Sequence, residues 1–80
     1  MKSCEAVTIR LRRLCLKKGI NFNQLAYIAG VHPSTLKSIM NGDSKNPGIV
    51  TITKLCDGLN ITVYEFFEDK LFKELEQEIE

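Results

Sequence analysis

The chain has 80 residues, of which 44% are apolar and 26% are charged, and this composition is typical of one small globular domain rather than of a disordered segment. Its net charge of +1 hides an asymmetry, since residues 1–45 carry eight basic and two acidic side chains and residues 46–80 carry three basic and eight acidic ones. No apolar run approaches the roughly 20 residues that span a bilayer, and the arginines at 10, 12 and 13 interrupt any secretory signal core, so we expect a cytoplasmic protein with no membrane partner.

Apolar spacing and flanking residues predict the first two helices. The first is predicted over residues 6–18 by an apolar stripe formed by Val7, Leu11, Leu14 and Cys15. Gly19 then supplies the left-handed residue that commonly ends a helix. The second helix begins after Asn21, which can form a capping box with Gln24, and it ends at Gly30.

A third helix is predicted directly after this turn. It begins after His32, because Pro33 fits the first helical position, where its missing N–H is not needed. It ends at Asn41 and Gly42. A short turn at Gly30 between two short helices projects the second of them outward, and this arrangement places a helix in the major groove of DNA in many proteins.

Two further helices complete the prediction. The fourth covers residues 49–58, with a core stripe of Ile52, Leu55, Cys56 and Leu59. Thr62 and Glu65 form a capping box that starts the fifth. Its apolar residues keep a spacing of four at Phe67, Leu71, Leu75 and Ile79, which predicts an extended C-terminal helix running through the acidic tail. No segment alternates with period two, so the predicted fold is all-α, with five helices and no sheet.

The charge distribution and the cysteine content limit the kinds of partner and site that the chain can have. The basic half favours a polyanionic partner, although two oppositely charged solvated faces would give the same counts. Three cysteines without a Cys-x-x-Cys pair, together with one histidine, favour neither a zinc site nor a disulfide framework, so we expect no metal and no cofactor. No nucleophile and base occur at a catalytic spacing, and we expect no enzymatic activity.

In order and spacing, these features resemble the Xre family, the helix-turn-helix domain of lambdoid phage repressors and Cro, over residues 9–67. The matching residues are Leu14, Gly19, Leu25, Ala26, Gly30, Val31, Ser34, Thr35, Leu36, Ile39, Gly42, Asn46, Pro47, Leu55, Leu59, Ile61, Thr62, Phe66 and Phe67. The resemblance implies a DNA-binding domain over residues 1–67, with residues 68–80 as its acidic helical extension. It also implies a small transcriptional regulator, a repressor in the leading interpretation, that binds double-stranded DNA as a homodimer.

The chain departs from the family pattern at three places. Cys15 and Met40 stand where the family often has a buried Arg–Glu pair, an apolar replacement that can be neutral or stabilising. Phe22 stands where the family often has a glutamine that contacts phosphate. The recognition helix opens with His32 and Pro33 in place of a serine and a longer polar residue. Its exposed side chains include no glutamine or arginine, which predicts modest intrinsic specificity and a larger share of shape or water-mediated readout.

The resemblance places the recognition helix at residues 33–40 and its base contacts at Pro33, Ser34, Lys37 and Ser38. A lysine can donate to guanine O6 and N7, a serine serves either base type, and proline offers only apolar contact. Expected backbone contacts are Phe22, Asn23, His32, Asn41, Ser44, Lys45 and Asn46. Capping alone accounts for Asn21, whereas capping and phosphate contact both stay open for His32. We expect Thr35 to be half-buried, and Arg10, Arg12 and Arg13 to form a solvated face.

The acidic last helix is the expected place for dimer contacts, with Leu71, Leu75 and Ile79 as candidates, although Leu71 could instead pack within its own chain. Two alternative functions stay open. An antitoxin would use the same fold on DNA while its acidic C-terminal helix held a toxin as protein partner. A protein-interaction module would carry a degenerate DNA face, which Pro33 and Phe22 would favour.

Overall fold

The computed structural model describes residues 1–43 and 47–75. These residues form five α-helices and one 3-10 helix. In chain order they are α1 (Ser3–Lys18), α2 (Phe22–Ala29), α3 (Pro33–Met40), α4 (Ile49–Leu59), α5 (Val63–Phe67) and a C-terminal 3-10 helix (Lys70–Glu74). The described residues contain no strand, which confirms the predicted all-α, five-helix class. Within this part of the chain, no helix is long and apolar enough to cross a membrane.

Helix starts follow the predicted caps. The side-chain oxygen of Asn21 accepts the N–H of Gln24, and the oxygen of Gln24 accepts the N–H of Asn21, both at 2.8 Å. Thr62 and Glu65 make the same reciprocal pair at 3.0 Å. These bonds satisfy amides that have no partner inside their helix. Asn21 is therefore a cap, as predicted.

Three turns between helices share one design, which we call the three-residue connectors, at residues 19–21, 30–32 and 60–62. Each begins with a left-handed residue that ends one helix, and each ends with the residue that caps the next. At the middle connector, Gly30 has φ of +70° and the N–H of Val31 donates to the carbonyl of Ala26 at 3.0 Å. The central residues Ile20, Val31 and Ile61 turn into the core. Each connector thus closes one helix, buries an apolar side chain and starts the next helix.

The core is one apolar cluster to which all five helices contribute. Its largest fully buried side chains are Phe66, Leu11, Leu25, Leu36, Leu55 and Leu59. Cys15 and Met40 are both buried, at 3% and 6% exposure, so the two positions at which the resemblance implies an ion pair carry buried apolar side chains. Burial raises the pKa of the Cys15 thiol. Burial first, and then the neighbouring Asp57 carboxylate, raise the pKa of Cys56.

Two helices of the core approach each other closely at Gly58 of α4. A Cβ added at Gly58 would lie 3.0 Å from the Cβ of Ala29 and 3.1 Å from its Cα and its backbone nitrogen. Two of these atoms belong to the α2 backbone and cannot rotate away. Gly58 therefore permits the close packing of α4 against α2, the most extensive helix pair in the fold.

The C-terminal part of the chain corrects the predicted extended helix. The fifth helix ends at Phe67, and the chain turns into a 3-10 helix that packs on α1. Arg10 produces this end, since its guanidinium donates to the carbonyls of Phe66 and Glu65, both at 2.9 Å, and pairs with Asp69 at 3.4 Å. Carbonyls in the last turn of a helix accept no N–H from their own helix. An arginine from another element therefore stabilises the terminus by donating to them. Arg10 is therefore half-buried and paired, not part of a solvated face.

Asp69 completes the turn after α5. Its carboxylate accepts the N–H of Leu71 at 2.9 Å and thereby caps the 3-10 helix. Phe67 and Phe72 then meet edge to face, with ring centroids 4.8 Å apart. The apolar residues whose spacing predicted one continuous helix thus lie in two separate elements, α5 and the 3-10 helix. Residues 76–80, including Ile79, lie outside the described residues.

Replacing Gly58 by alanine should change the free energy of unfolding through two opposing effects. Helix propensity favours alanine, whereas core packing opposes it. Replacing glycine by alanine inside an open helix adds about 1 kcal/mol of stability, whereas overpacking a core removes about 1–3 kcal/mol. We expect Gly58→Ala to lower the free energy of unfolding measured by urea denaturation. Ala29→Gly in the same chain removes the nearest atom and should recover part of the loss. A more stable Gly58→Ala protein would contradict the packing argument.

Candidate nucleic-acid interface

The third helix is held from one side and open on the other. Leu36, Ile39 and Met40 are buried in the core. The hydroxyl of Thr8 on α1 lies within donating distance of the carbonyl of Ile39, at 3.2 Å, as well as that of Cys4, at 3.0 Å. These contacts fix α3 against α1 and leave its other face in solvent.

An open cleft of about 790 Å³ lies between α1, the start of α2 and the exposed face of α3. Its lining includes Arg12, Asn21, Phe22, Asn23, His32, Pro33, Ser34, Lys37 and Asn41. The charged side chains among these lining residues, Arg12 and Lys37, are both cations. The start of α2 adds the partial positive charge of a helix N-terminus. The cleft is therefore electropositive, which suits a phosphate backbone.

Three of the four predicted base-contacting residues meet in this cleft. Pro33, Ser34 and Lys37 line it and are exposed, whereas Ser38 is half-buried and does not line it. Thr35 is exposed, which corrects the expectation that it is half-buried. Thr35 lies in the first turn of α3, whereas the buried residues of this helix begin at Leu36.

His32 and Ser34 form a local pair at the start of α3. The Nδ1 atom of His32 accepts the backbone N–H of Ser34 at 3.1 Å, and the Ser34 hydroxyl oxygen lies 2.7 Å from the same nitrogen. A ring nitrogen that accepts an N–H carries no proton, so the Ser34 hydroxyl donates to it. Its lone pairs then stay available, and Ser34 presents an acceptor to the cleft.

The predicted backbone-contacting residues divide into two groups. Four of them, Phe22, Asn23, His32 and Asn41, line the cleft around α3. Ser44, Lys45 and Asn46 lie outside the described residues. The neutral His32 ring that caps α3 through Nδ1 carries its proton on Nε2. Capping therefore leaves His32 a donor, so the two roles considered for it are compatible.

One contact in the cleft has no signature in the sequence. The guanidinium of Arg12 lies over the ring of Phe22, 5.4 Å from the ring centroid, which is within the range of a cation–π interaction. Arg12 was expected to belong to a solvated face. The two residues belong to different helices, so no helical spacing relates them. Only the angle at which the connector at residues 19–21 sets α2 against α1 brings them together.

Two of the three dimer candidates can be located. Leu71 is buried at 8% exposure, so it packs within its own chain. Leu75 is 37% exposed at the end of the 3-10 helix. The third, Ile79, lies outside the described residues.

Two short helices at a tight turn, with the second presenting a polar face beside an electropositive cleft, define a helix-turn-helix DNA-binding protein. A family model, the Cro/C1-type HTH DNA-binding domain, matches residues 10–71. The chain belongs to this family, which confirms the resemblance found in its sequence. No curated protein matches it.

Three solved structures are similar to the chain over most of its length. The prophage Lp1 protein 11 is 36% identical with a TM-score of 0.82, covering 94% of this chain and 100% of that one. The restriction-modification controller protein C.AhdI from Aeromonas hydrophila is 32% identical with a TM-score of 0.69, covering 78% and 92%. A point mutant of the restriction-modification controller protein C.Esp1396I is 26% identical with a TM-score of 0.78, covering 92% and 94%.

The His32 cap gives a prediction that separates its backbone and side-chain bonds. His32→Ala removes the acceptor of the Ser34 N–H and should lower the free energy of unfolding by about 1 kcal/mol. Ser34→Ala keeps that N–H and removes only the exposed hydroxyl, so it should cost less. His32→Asn should restore most of the stability, because asparagine is a good cap. Equal losses for the two alanine variants in thermal melts would show that the bond from the Ser34 N–H to His32 adds no stability of its own.

Proposed function

We propose that this chain is a homodimeric transcriptional repressor that binds a specific operator with α3 in the major groove. The observation that carries the proposal is the cleft in which the exposed face of α3 and the N-terminus of α2 meet, where none of the described lining residues is acidic. Two of the similar structures are controller proteins, which supports a regulatory role. Such a protein would act on DNA in the cytoplasm.

The proposed base contacts are Pro33, Ser34, Lys37 and Ser38, of which Ser38 is the least exposed. Lys37 can donate to guanine O6 and N7. While the Ser34 hydroxyl donates to His32, its lone pairs can accept from a base. In the major groove, adenine N6 and cytosine N4 carry the amino groups that would donate to it.

The proposed backbone contacts surround these residues. The amides of Phe22 and Asn23 are at the first two positions of α2, where helical N–H groups have no partner in the helix. His32 can donate through Nε2 at the start of α3, and Asn41 lines the same cleft at the other end of α3. We retain Ser44, Lys45 and Asn46 in this set on sequence grounds. These contacts would position α3 and would not select bases.

Selection of binding sites from a random duplex pool at near-physiological salt tests this proposal. We expect wild-type protein to enrich an inverted repeat whose half-sites lie roughly one helical turn apart, as a two-fold dimer requires. Each half-site should contain a position restricted to adenine or cytosine on one strand, and Ser34→Ala should relax that position alone. If the folded protein enriches no sequence, the repressor proposal is wrong, and the antitoxin and interaction-module functions gain weight.

The dimer proposal rests on the C-terminal segment. Leu75 is partly exposed beyond the 3-10 helix, whereas Leu71 is buried, so removal of residues 75–80 should spare the described core. We expect this truncation to weaken self-association in sedimentation velocity and to leave the helical circular dichroism spectrum unchanged. An unchanged sedimentation profile would place the dimer contacts elsewhere.

A further inference from the structure

The three arginines of α1 have different surroundings. Arg10 donates to the end of α5 and pairs with Asp69, and Arg13 lies 3.8 Å from the same carboxylate. Arg12 makes no ion pair with any residue that the structure describes. At 100° per residue, Arg12 lies about 200° around the helix from Arg10. Arg10 and Arg13 thus make ion pairs within the fold, whereas no described residue compensates the charge of Arg12.

Arg12 is nevertheless not a freely moving side chain. Its guanidinium lies over Phe22, whose ring packs against the core and is half-buried. A mobile arginine loses about 2 kcal/mol of side-chain entropy when it is fixed by a ligand. The ring lowers that loss, because its contact with the guanidinium restricts the side chain before binding.

The position of this pair points to its ligand. Arg12 and Phe22 both line the cleft that contains Lys37, and Phe22 is the first residue of α2, where N–H groups and the helix dipole favour an anion. We propose that Arg12 contacts a DNA phosphate and that Phe22 is the positioning residue that holds it there. This inference rests on the proposed function, since the phosphate belongs to the DNA that α3 binds.

A phosphate contact of this kind has a distinct signature. It releases counterions and strengthens binding to every sequence, so its loss weakens specific and non-specific complexes by the same factor. A base contact would instead change which sequence is preferred. The two roles can therefore be separated by measuring two duplexes over a range of salt concentrations.

The test compares Arg12→Gln with Arg13→Gln, which removes the same charge from the next residue of the same helix. Fluorescence anisotropy would measure binding to the selected operator and to a scrambled duplex of equal length between 50 and 300 mM salt. We expect Arg12→Gln to weaken both complexes about tenfold and to reduce the slope of log K against log salt by roughly 0.9 per protomer. Arg13→Gln should match the wild type. Phe22→Leu, which keeps an apolar side chain and the charge, should give a smaller loss on both duplexes.

The outcomes separate the two proposals. If the folded wild type binds neither duplex, the proposed function itself is wrong. If it binds and Arg12→Gln behaves like Arg13→Gln, the function stands and the phosphate contact is wrong. If Arg12→Gln changes the sequence preference, Arg12 contacts a base and the proposal is overturned. If Arg12→Gln weakens binding while Phe22→Leu matches the wild type, the positioning role of Phe22 is overturned. Melting curves of all three variants establish that they are folded.

Discussion

The angle between consecutive helices depends on one repeated constraint, the three-residue connectors at residues 19–21, 30–32 and 60–62. Each must provide, in order, a residue that tolerates positive φ, an apolar side chain and a capping side chain. The apolar residue is the important one, because it packs on the helix that ends and on the helix that begins. Burying Val31 therefore fixes α3 relative to α2, and no longer loop could set that angle as closely. The outward direction of α3 is a consequence of this short turn.

The connectors fix only neighbouring helices, so the orientation of the pair α2–α3 needs support from more distant parts of the chain. Gly58 supplies one support, since α4 can approach the backbone of Ala29 only where a side chain is absent. Thr8 supplies another, because it joins α1 to the last turn of α3. Both contacts lie on the core side of the helix-turn-helix. On the solvent side, Asn21 caps α2 and the His32 and Ser34 pair caps α3.

Features whose cause is local could be predicted from the sequence. The capping boxes at Asn21 and Thr62, the proline at the start of α3 and the left-handed glycines are all encoded within a few residues, and the starts of α2, α3 and α5 followed from them. The start of α1 did not, because it lies at Ser3, three residues before the predicted start, and has no side-chain cap. The end of α5 could not be predicted in this way. It depends on Arg10, whose bonds join residues more than fifty positions apart, and an apolar spacing of four does not reveal such a partner. The same limit applies to the candidate site, where Ser34 and Lys37 follow from the recognition helix but the contact of Arg12 with Phe22 crosses two helices.

Phe22 shows how a departure from a family pattern can be understood physically. A phenylalanine at the first position of α2 cannot make the side-chain contact of a glutamine, and by itself it suggests a weakened DNA face. Its ring, however, lies beneath a guanidinium that has no carboxylate partner among the described residues. In the proposed contact, the polar function would move from α2 to α1, and the aromatic residue would contribute rigidity in place of a hydrogen bond. Because the base contacts of α3 come from short side chains and one lysine, such a sequence-independent contact would carry a large share of the affinity. The balance between affinity and specificity in this protein would then depend as much on α1 as on the recognition helix.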